Sequence, residues 1–422
     1  MNSRTFDCGL CKVGAISQLS QPEGNMTTTS ILEARCVIIG GGPAGMMLGF
    51  LLARAGVRVI VLEKHADFLR DFRGDTIHPS TFELIHELGL LDQFLQLPHQ
   101  EVTRMKYVFD GHVVCMADFS RLPTKCKFMG FMPQWHFLNF LAAQAARFPA
   151  FELRMESRVV DLLHDGDRIA GVRAKTPLGD LEVRADLVIG CDGRNSIVRH
   201  LAKLEIKEIG VPIDVLWMHI SKRDSDPEQL FGFVRHGQGL GLIDRDDYFQ
   251  AGLAIPKGGI EQFKQRGLPA LHNDIVALAP FLEDRMDELD DWSKIKLLTV
   301  QINRLQKWYR QGLLCIGDAA HAMSPAAGVG INLAIQDAVA AGNVLAVKLK
   351  AGPVSIADLA AVQKRREWPT RLIHAMQALI HRYAIVRFTI VKAIQWLPAL
   401  QFLSARFIGI GPRPEHIRSP IA

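Results

Sequence analysis

The amino-acid sequence predicts an α/β protein with a parallel-sheet lobe, a second and discontinuous antiparallel-sheet lobe, and C-terminal helices. Three observations predict this fold. A β-branched run from Cys36, a small-residue helix over 44–55 and a second apolar run over 57–62 form a β-α-β pattern. Short strand-like segments separated by Asp, Gly and Pro occupy 211–256, which is typical of an antiparallel sheet. The strand-like run at 312–316 returns the chain to the first lobe.

Composition limits the class of protein. The chain has 422 residues, of which 48% are hydrophobic and 22% charged, with a formal net charge of +5. A chain of this length exceeds what one hydrophobic core usually supports, so we expect two lobes. No dense Lys/Arg run is present, and nucleic acid is therefore not an expected partner. No uncharged apolar run is long enough to span a bilayer, so no transmembrane segment is expected.

The seven cysteines indicate a reducing compartment. Cys36, Cys191 and Cys315 lie in apolar strand-like runs, where cysteine behaves as a small hydrophobic residue. Cys8 and Cys11 form a CxxC, but no second pair follows at metal-binding spacing, so we expect no metal. The odd count and this placement predict a cytoplasmic protein without disulfides.

The pattern of elements divides the chain into alternating pieces of two lobes. The boundaries that we predict are a disordered tail at 1–30, nucleotide-binding pieces at 31–105, 131–208 and 299–350, sheet-lobe pieces at 106–130 and 209–298, and a C-terminal helical region at 351–422. A leucine-rich helix is expected over 79–97. In the apolar stretch 375–410, Pro398 predicts a kink.

Two interpretations of this C-terminal stretch stay open. It is either a helix or helix pair packed on the core or on a partner subunit, or a helix in peripheral contact with a membrane. The second interpretation rests on basic residues interleaved with aromatic ones: Arg382, Arg387, Lys392, Trp396, Phe402 and Arg406. The sequence is compatible with a monomer or a homodimer.

The first chemical motif is a G-x-G-x-x-G between the first strand and its helix. Gly40 permits a tight turn, Gly42 lets the backbone approach a pyrophosphate, and Gly45 allows close packing of helix on strand. The diphosphate is expected at the helix N-terminus, beside Pro43 and Ala44. Glu63 ends the next strand, with Lys64 after it. A carboxylate there accepts from ribose hydroxyls and repels a 2′-phosphate, which predicts FAD or NAD.

Two later motifs end apolar strands with an acid. Asp192 and Gly193 follow the run 186–191, at the carboxyl end where α/β sheets bind ligands. Asp318 follows the run 313–317, and a loop of small residues then opens a helix over 332–349. Asp318 is expected to accept from a ribityl hydroxyl, and backbone amides of the loop to stabilise charge on a reduced flavin. The expected contacts of this loop are Pro325, Gly328, Gly330, Ile331 and Asn332.

The ordered set of three motifs resembles single-component FAD-dependent aromatic hydroxylases, the group typified by para-hydroxybenzoate hydroxylase and polyprenyl-phenol hydroxylase. The resemblance runs from about Arg35 to the C-terminus and implies a Rossmann-like, glutathione reductase-type FAD lobe. It adds Arg73 as a pyrophosphate contact, Gln134 as a flavin contact and Val159 as an adenine contact. The chain departs from the group at Ser324 and Val329, where many relatives have proline and glutamine.

The resemblance implies a monooxygenase. NADH or NADPH reduces the flavin, O₂ adds to give a C4a-hydroperoxide, and a phenolic or other aromatic small molecule takes up the distal oxygen. Only one G-x-G-x-x-G is present, so the nicotinamide is expected to bind transiently. No general base is assigned.

The substrate is expected between the flavin and the middle sheet. Candidate contacts are Trp217, His219, Arg235, His236 and Tyr248, about half of which must face away because strand side chains alternate.

Two other functions stay open. One is a flavin-dependent epoxidase or reductase of an isoprenoid or quinone-type lipid, which the apolar C-terminal region would serve. Another is a non-catalytic binding protein of related fold, similar to Rab-escort proteins. A flavin-dependent halogenase is disfavoured because 215–220 holds one tryptophan and no proline.

Overall fold

The computed structural model describes residues 29–69, 76–227, 230–245, 247–382 and 384–422, with side chains from 389 onward in the last range. The predicted tail at 1–30 and the Cys8/Cys11 pair lie outside the described residues, except for residues 29 and 30.

The strands are β1 (Ser30–Ile39), β2 (Val59–Leu62), β3 (Thr76–Ile77), β4 (Gln100–Val102), β5 (Arg104–Phe109), β6 (His112–Asp118), β7 (Met129–Phe131), β8 (Phe151–Arg154), β9 (Arg158–Asp165), β10 (Arg168–Thr176), β11 (Gly179–Gly190), β12 (Ile206–Glu208), β13 (Ile213–Ser221), β14 (Leu230–Arg235), β15 (Gln238–Asp244), β16 (Tyr248–Pro256), β17 (Lys296–Leu298), β18 (Asn303–Leu305), β19 (Tyr309–Arg310) and β20 (Leu313–Cys315).

Helices cover the sheets and form the C-terminal region. They are α1 (Pro43–Arg54), α2 (Pro79–Glu87), α3 (Leu91–Phe94), α4 (Gln134–Ala145), α5 (Ile197–Leu201), α6 (Ile260–Arg266), α7 (Leu268–Leu278), α8 (Val329–Ala351), α9 (Ile356–Arg382), α10 (Ala384–Trp396) and α11 (Pro398–Gly409). Short 3₁₀ turns link several of them.

The first sheet has a parallel centre in the order β20-β11-β1-β2-β8. Its strands are buried on both faces, as in β2, where all four residues are buried. Helices α1 and α8 pack against each other and belong to the same hydrophobic core as these strands. The parallel arrangement brings the carboxyl ends of β1, β2 and β11 to one edge, and the glycine-rich loop lies there.

The second sheet is built from distant parts of the chain, in the order β17-β13-β16-β15-β14-β5-β6. All of its neighbouring strands are antiparallel except β14 and β5, which are parallel. Its outer face packs on α7 and the following 3₁₀ turn to form a separate core. The mixed α/β fold expected from the sequence is thus confirmed.

Two helical predictions were wrong in detail. The helix expected over 79–97 is two helices, because Gly89 adopts a left-handed conformation (φ 73°) and ends α2. Its amide donates to His86 O and that of Leu90 to Ile85 O, the paired bonds of a Schellman cap. Pro398 begins α11 instead of kinking one helix, and the described residues of the C-terminal region form three helices, α9 to α11.

One apolar helix meets the length and composition required to cross a membrane among the described residues. It is α8 with the turn before it, Ala326–Ala351, and 78% of its most apolar window is buried inside the protein. Such burial is typical of a central core helix.

A buried carboxylate on α8 organises the ends of several elements. Asp337 Oδ2 accepts from Gly317 N at 3.1 Å and from His321 Nε2 at 2.5 Å, and its Oδ1 accepts from Arg366 Nε at 3.0 Å. Asp337 is fully buried, which by itself would raise the pKa of its carboxyl, but His321 and Arg366 hold that pKa below its usual value. Arg366 also contacts Glu415 at 3.4 Å, so the network reaches the C-terminal tail.

Replacing Asp337 tests this network. In Asp337→Asn, Arg366 loses the nearer of its two buried carboxylate partners, and we expect the free energy of unfolding to fall by about 3 kcal/mol. Urea unfolding followed by circular dichroism measures it. The matched control is Asp180→Asn, which removes a solvent-exposed ion pair with Lys175 (2.6 Å) and should cost less than about 1 kcal/mol. Equal losses in the two variants would contradict the assigned role.

Candidate functional site

A single large cavity of about 1950 Å³ runs from the glycine-rich loop, along the second sheet, to the C-terminal helices. This volume exceeds that of a pocket for one small ligand, which is about 300 to 1,000 Å³. Its first half is lined by loops at the carboxyl ends of the parallel strands. Its second half is lined mainly by apolar side chains of the second sheet and of α9 to α11.

The glycine-rich loop has the geometry that the sequence predicts. Gly40 has φ 101°, and a Cβ there would lie 2.5 Å from Cys191 O. A Cβ on Gly45 would lie 2.0 Å from Gly40 O, so helix α1 sits directly on the turn. At Gly42 a Cβ would meet no atom within 4 Å, because this residue faces the cavity. The N-terminus of α1 therefore presents open space to an anionic group.

Glu63 closes the other side of this loop. Its Oε2 accepts from Gly41 N at 2.9 Å and its Oε1 from His65 N at 3.1 Å. The residue is buried yet lines the cavity. These bonds hold the carboxylate of Glu63 at the edge of the cavity, beside the glycine-rich loop.

Asp192, Arg194 and Asp318 form the polar centre of the cavity. Asp192 Oδ2 accepts from Val198 N at 3.2 Å, while Oδ1 is buried without a protein partner. Burial raises the pKa of Asp192. Arg194 Nη2 lies 3.6 Å from Asp318 Oδ2, and Arg194 Nη1 is buried without a partner. An acceptor and a donor that are both buried and unsatisfied mark a place for a polar ligand.

The loop before α8 is held in an unusual backbone conformation. Ala327 and Gly328 are both left-handed, with φ 61° and 62°. A Cβ on Gly328 would lie 2.1 Å from Thr76 Oγ1, and this hydroxyl donates to Gly328 O at 3.0 Å. A non-glycine residue in this region stores strain, and such strain concentrates at functional sites.

Asn332 locks that loop to β3. Its Oδ1 accepts from His78 N at 2.9 Å and from Thr81 Oγ1 at 2.7 Å. Its Nδ2 donates to Thr76 O at 3.1 Å and to Gly328 O at 3.3 Å. These four bonds use the full capacity of the side-chain amide, and Asn332 does not line the cavity.

Ser324, where the chain departs from many relatives, is held by α9. Its N–H donates to Gln377 Oε1 and its carbonyl accepts from Gln377 Nε2, both at 3.1 Å. Its hydroxyl lies 2.9 Å from His381 Nε2. Gln377 and His381 also line the cavity. They were not predicted as site residues, because no sequence pattern pairs α9 with this loop.

Most of the residues predicted to hold a cofactor lie around this cavity. Those that line it are Gly40, Gly42, Pro43, Ala44, Glu63, Lys64, Gln134, Val159, Asp192, Gly193, Asp318, Pro325, Gly328, Gly330 and Ile331. Gly45 and Asn332 lie behind the lining. Arg73 falls outside the described residues.

Of the candidate substrate contacts, one lines the cavity and the others do not. Trp217 lines the cavity, with its ring over Gly252. His219 stacks on Tyr248 with ring centroids 3.5 Å apart, and neither lines the cavity. Arg235 is exposed and donates to Ala277 O at 3.2 Å, and His236 lies in the exposed turn between β14 and β15.

Gln250, a polar residue of this wall, was not predicted from the sequence. Gln250 Oε1 accepts from Arg245 Nη2 at 3.1 Å, while its Nε2 and Trp217 Nε1 are buried donors without a protein partner. Strands β13 and β16 are paired with Trp217 opposite Gly252. Gln250 is two residues from Gly252 on β16, so the side chains of Trp217 and Gln250 lie on the same face of the sheet. The register between the two strands determines which residues share a face of the sheet, and the hydrophobic pattern of a single strand does not predict that register.

Comparisons with known proteins agree on the family. The family model described as "FAD binding domain" matches residues 33–375. A 6-methylpretetramide 4-monooxygenase of Streptomyces rimosus is 32% identical over 396 residues, which covers 91% of this chain and 94% of that protein. A rifampicin monooxygenase of Streptomyces venezuelae is 28% identical and covers 74% of this chain, which spans 64% of that protein.

The fold is similar to that of solved monooxygenases. The crystal structure of p-nitrophenol 4-monooxygenase PnpA from Pseudomonas putida DLL-E4 matches with a TM-score of 0.73 and 20% identity, covering 90% of this chain and 99% of that one. The family match spans most of the chain, and the relative that is 32% identical is covered almost to its full length. This chain therefore belongs to the FAD-binding-domain family and is an FAD-dependent oxidoreductase of the monooxygenase class.

Proposed function

We propose that this chain hydroxylates an apolar, phenolic aromatic molecule with O₂, using NADH or NADPH as the transient reductant. The observation that carries the proposal is the continuity of the cavity. A polar half beside the glycine-rich loop, suited to a dinucleotide, opens directly into an apolar half. The names of the curated relatives support an aromatic substrate, since one acts on 6-methylpretetramide and another on rifampicin.

The polar half fits FAD. In a Rossmann-like, glutathione reductase-type lobe, the diphosphate would lie at the N-terminus of α1 beside Gly42, and Glu63 would accept from the ribose. Asp192 and Asp318 would accept from hydroxyls of the ribityl chain, and the unsatisfied Oδ1 of Asp192 supports that role. The backbone amides that open α8 would face the pyrimidine edge of the flavin. When bound, FAD supplies the two-electron chemistry that activates O₂ and delivers one oxygen atom.

The chain's own residues orient the substrate and exclude water. The second half of the cavity is lined by methionine, phenylalanine and aliphatic side chains, among them Met105, Met129, Phe231 and Phe407. Trp217 Nε1 and Gln250 Nε2 are buried donors without a protein partner, and this wall would offer them to an oxygen atom of the substrate. One oxygen atom of O₂ enters a C–H bond of the ring, and the other leaves as water with the electrons of the nicotinamide.

The organisation of the chain follows from this assignment. We assign 31–105, 131–208 and 299–350 to the FAD lobe, 106–130 and 209–298 to the substrate lobe, and 351–422 to a helical region that covers the substrate. The described cysteines are all free, which supports a cytoplasmic location.

The reaction is tested with purified protein, a panel of phenols and polycyclic aromatic compounds, and each nicotinamide in turn. We expect an effective substrate to accelerate NADH or NADPH oxidation and to gain one atom of ¹⁸O from labelled O₂. Hydrogen peroxide without product would indicate only that the compound is not the substrate. Reduction or epoxidation of an isoprenoid or quinone-type lipid, with no hydroxylation across the panel, would overturn the proposal.

A substitution at Gly42 tests where the cofactor binds. A Cβ at this position meets no protein atom, so Gly42→Val should fold normally while its side chain fills the space of the diphosphate. We expect the purified variant to lack the visible absorbance of flavin and to bind added FAD at least about 100-fold more weakly, since the backbone could no longer approach the pyrophosphate. Absorbance after gel filtration and titration with FAD measure the effect.

Gly239 provides the matched control. It also lines the cavity and has open space around its Cβ position, but it lies on β15 in the second lobe. Gly239→Val should keep FAD. Loss of flavin from both variants, or from neither, would contradict the placement of the diphosphate at Gly42.

Trp217 and Gln250 are tested through the Michaelis constant. Trp217→Phe and Gln250→Leu each remove one buried donor, and we expect KM for the aromatic substrate to rise about three- to tenfold, the cost of one hydrogen bond. FAD content should not change. Tyr248→Phe is the control, because Tyr248 lies on the same sheet but does not line the cavity. An unchanged KM in both test variants would show that neither donor contacts the substrate.

A further inference from the structure

The C-terminal helices carry a one-sided charge. From 368 to 414 the chain has 47 residues with no Asp or Glu, while Arg371, Arg382, Arg387, Lys392, Arg406 and Arg413 give six positive charges. The net charge of the whole chain is only +5, so this segment is basic relative to the rest. A basic region is expected to be attracted to a negatively charged surface.

Large apolar side chains are exposed in the middle of this segment. At the corner where α10 meets α11, Trp396 is 79% exposed and Leu397 is 53% exposed. On α11, Leu403 is 55% exposed. We call these three residues the apolar corner. Two adjacent exposed apolar residues at this corner, with a third on the helix that begins there, indicate a contact surface, since exposed apolar residues are commonly scattered singly.

Basic residues flank the apolar corner on the same helix faces. Lys392 precedes Trp396 by one helical turn and is exposed, as Trp396 is. Ala399, Leu403 and Arg406 follow at intervals of four and three residues, and all three are exposed. Strand β6 packs against both helices, and its Asp118 is already bound to Arg104 at 3.1 Å. Apolar tips bordered by basic side chains are typical of helices that lie in a membrane interface.

We propose that the apolar corner docks this protein on an anionic lipid bilayer. Tryptophan prefers the level of the headgroups, where its ring is partly buried and its N–H stays hydrated. Leucine side chains enter the acyl boundary, and Lys392 and Arg406 lie at the height of the phosphates. The occupant is a lipid surface because the corner is flanked by positive charge that two copies of this chain would bring into repulsion.

The docking surface is continuous with the cavity. Ile394, Leu400 and Leu403 line the cavity from α10 and α11, and Leu403 is also exposed at the surface. An apolar molecule dissolved in the bilayer would therefore enter beside the residues that touch the membrane. The docking proposal does not depend on which substrate is hydroxylated.

The test is co-sedimentation of the full chain, loaded with FAD, with lipid vesicles. Wild-type protein should pellet with phosphatidylcholine vesicles that contain about one third phosphatidylglycerol, and should stay in solution with phosphatidylcholine alone. Raising the salt concentration should release it. Trp396→Ser combined with Leu397→Ser should weaken binding by at least about tenfold, because this variant removes the apolar contact. Lys392→Glu combined with Arg406→Glu should weaken it by about fivefold or more for each residue.

Trp368 supplies the matched control. It is 54% exposed but lies near the middle of α9, outside the apolar corner, so Trp368→Ser should pellet like the wild type. Wild-type protein that stays in solution with anionic vesicles would overturn the proposal. Vesicle binding that Trp368→Ser weakens as much as the corner variant does would also overturn it. A third result would overturn it as well: light scattering shows a wild-type dimer that dissociates in the Trp396→Ser, Leu397→Ser variant, and vesicles bind no protein.

Discussion

The fold depends on one buried carboxylate, that of Asp337. It lies inside an apolar helix and can be tolerated there only because three donors satisfy it, two from the turn that holds Gly317 and His321 and one from Arg366 on α9. Those donors position the turn that carries Asp318, the ring of His321 and the guanidinium of Arg366, which in turn reaches Glu415. The cavity-lining loop, the long helix α9 and the C-terminal tail are therefore coupled through a single charge. A change in any of these elements alters the environment of the others.

The sequence predicted the polar half of the site better than the rest. The roles of Gly40, Gly42 and Gly45 follow from local chain geometry, and the spacing that the structure shows around each glycine matches them. Asp337 was not predicted, because its three donors come from elements that only the tertiary fold brings together. Asn332 illustrates the same limit, because the partners of its side-chain amide come from segments that only the tertiary fold brings together.

The apolar half of the site shows what alternation along a strand leaves undecided. The pattern at 211–256 predicted a sheet, and the sheet is present, but the pattern did not tell which face meets the cavity. Pairing between β13 and β16 decides this by setting Trp217 opposite Gly252, where the absence of a side chain makes room for the indole. His219 lies two residue pairs further along, opposite Gln250, but it does not line the cavity and stacks on Tyr248 instead.

The parallel pairing of β1 with β11 also has a consequence for how the protein is made. Ser30 pairs with Leu181, so the partner of the first strand is synthesised about 150 residues later. At ribosomal rates of ~5–20 residues per second, the apolar edge of β1 that pairs with β11 stays unpaired for roughly 8 to 30 seconds. During this interval the β-α-β unit exposes strand edges that favour aggregation. Chaperones that cover such edges during synthesis should therefore raise the yield of native protein.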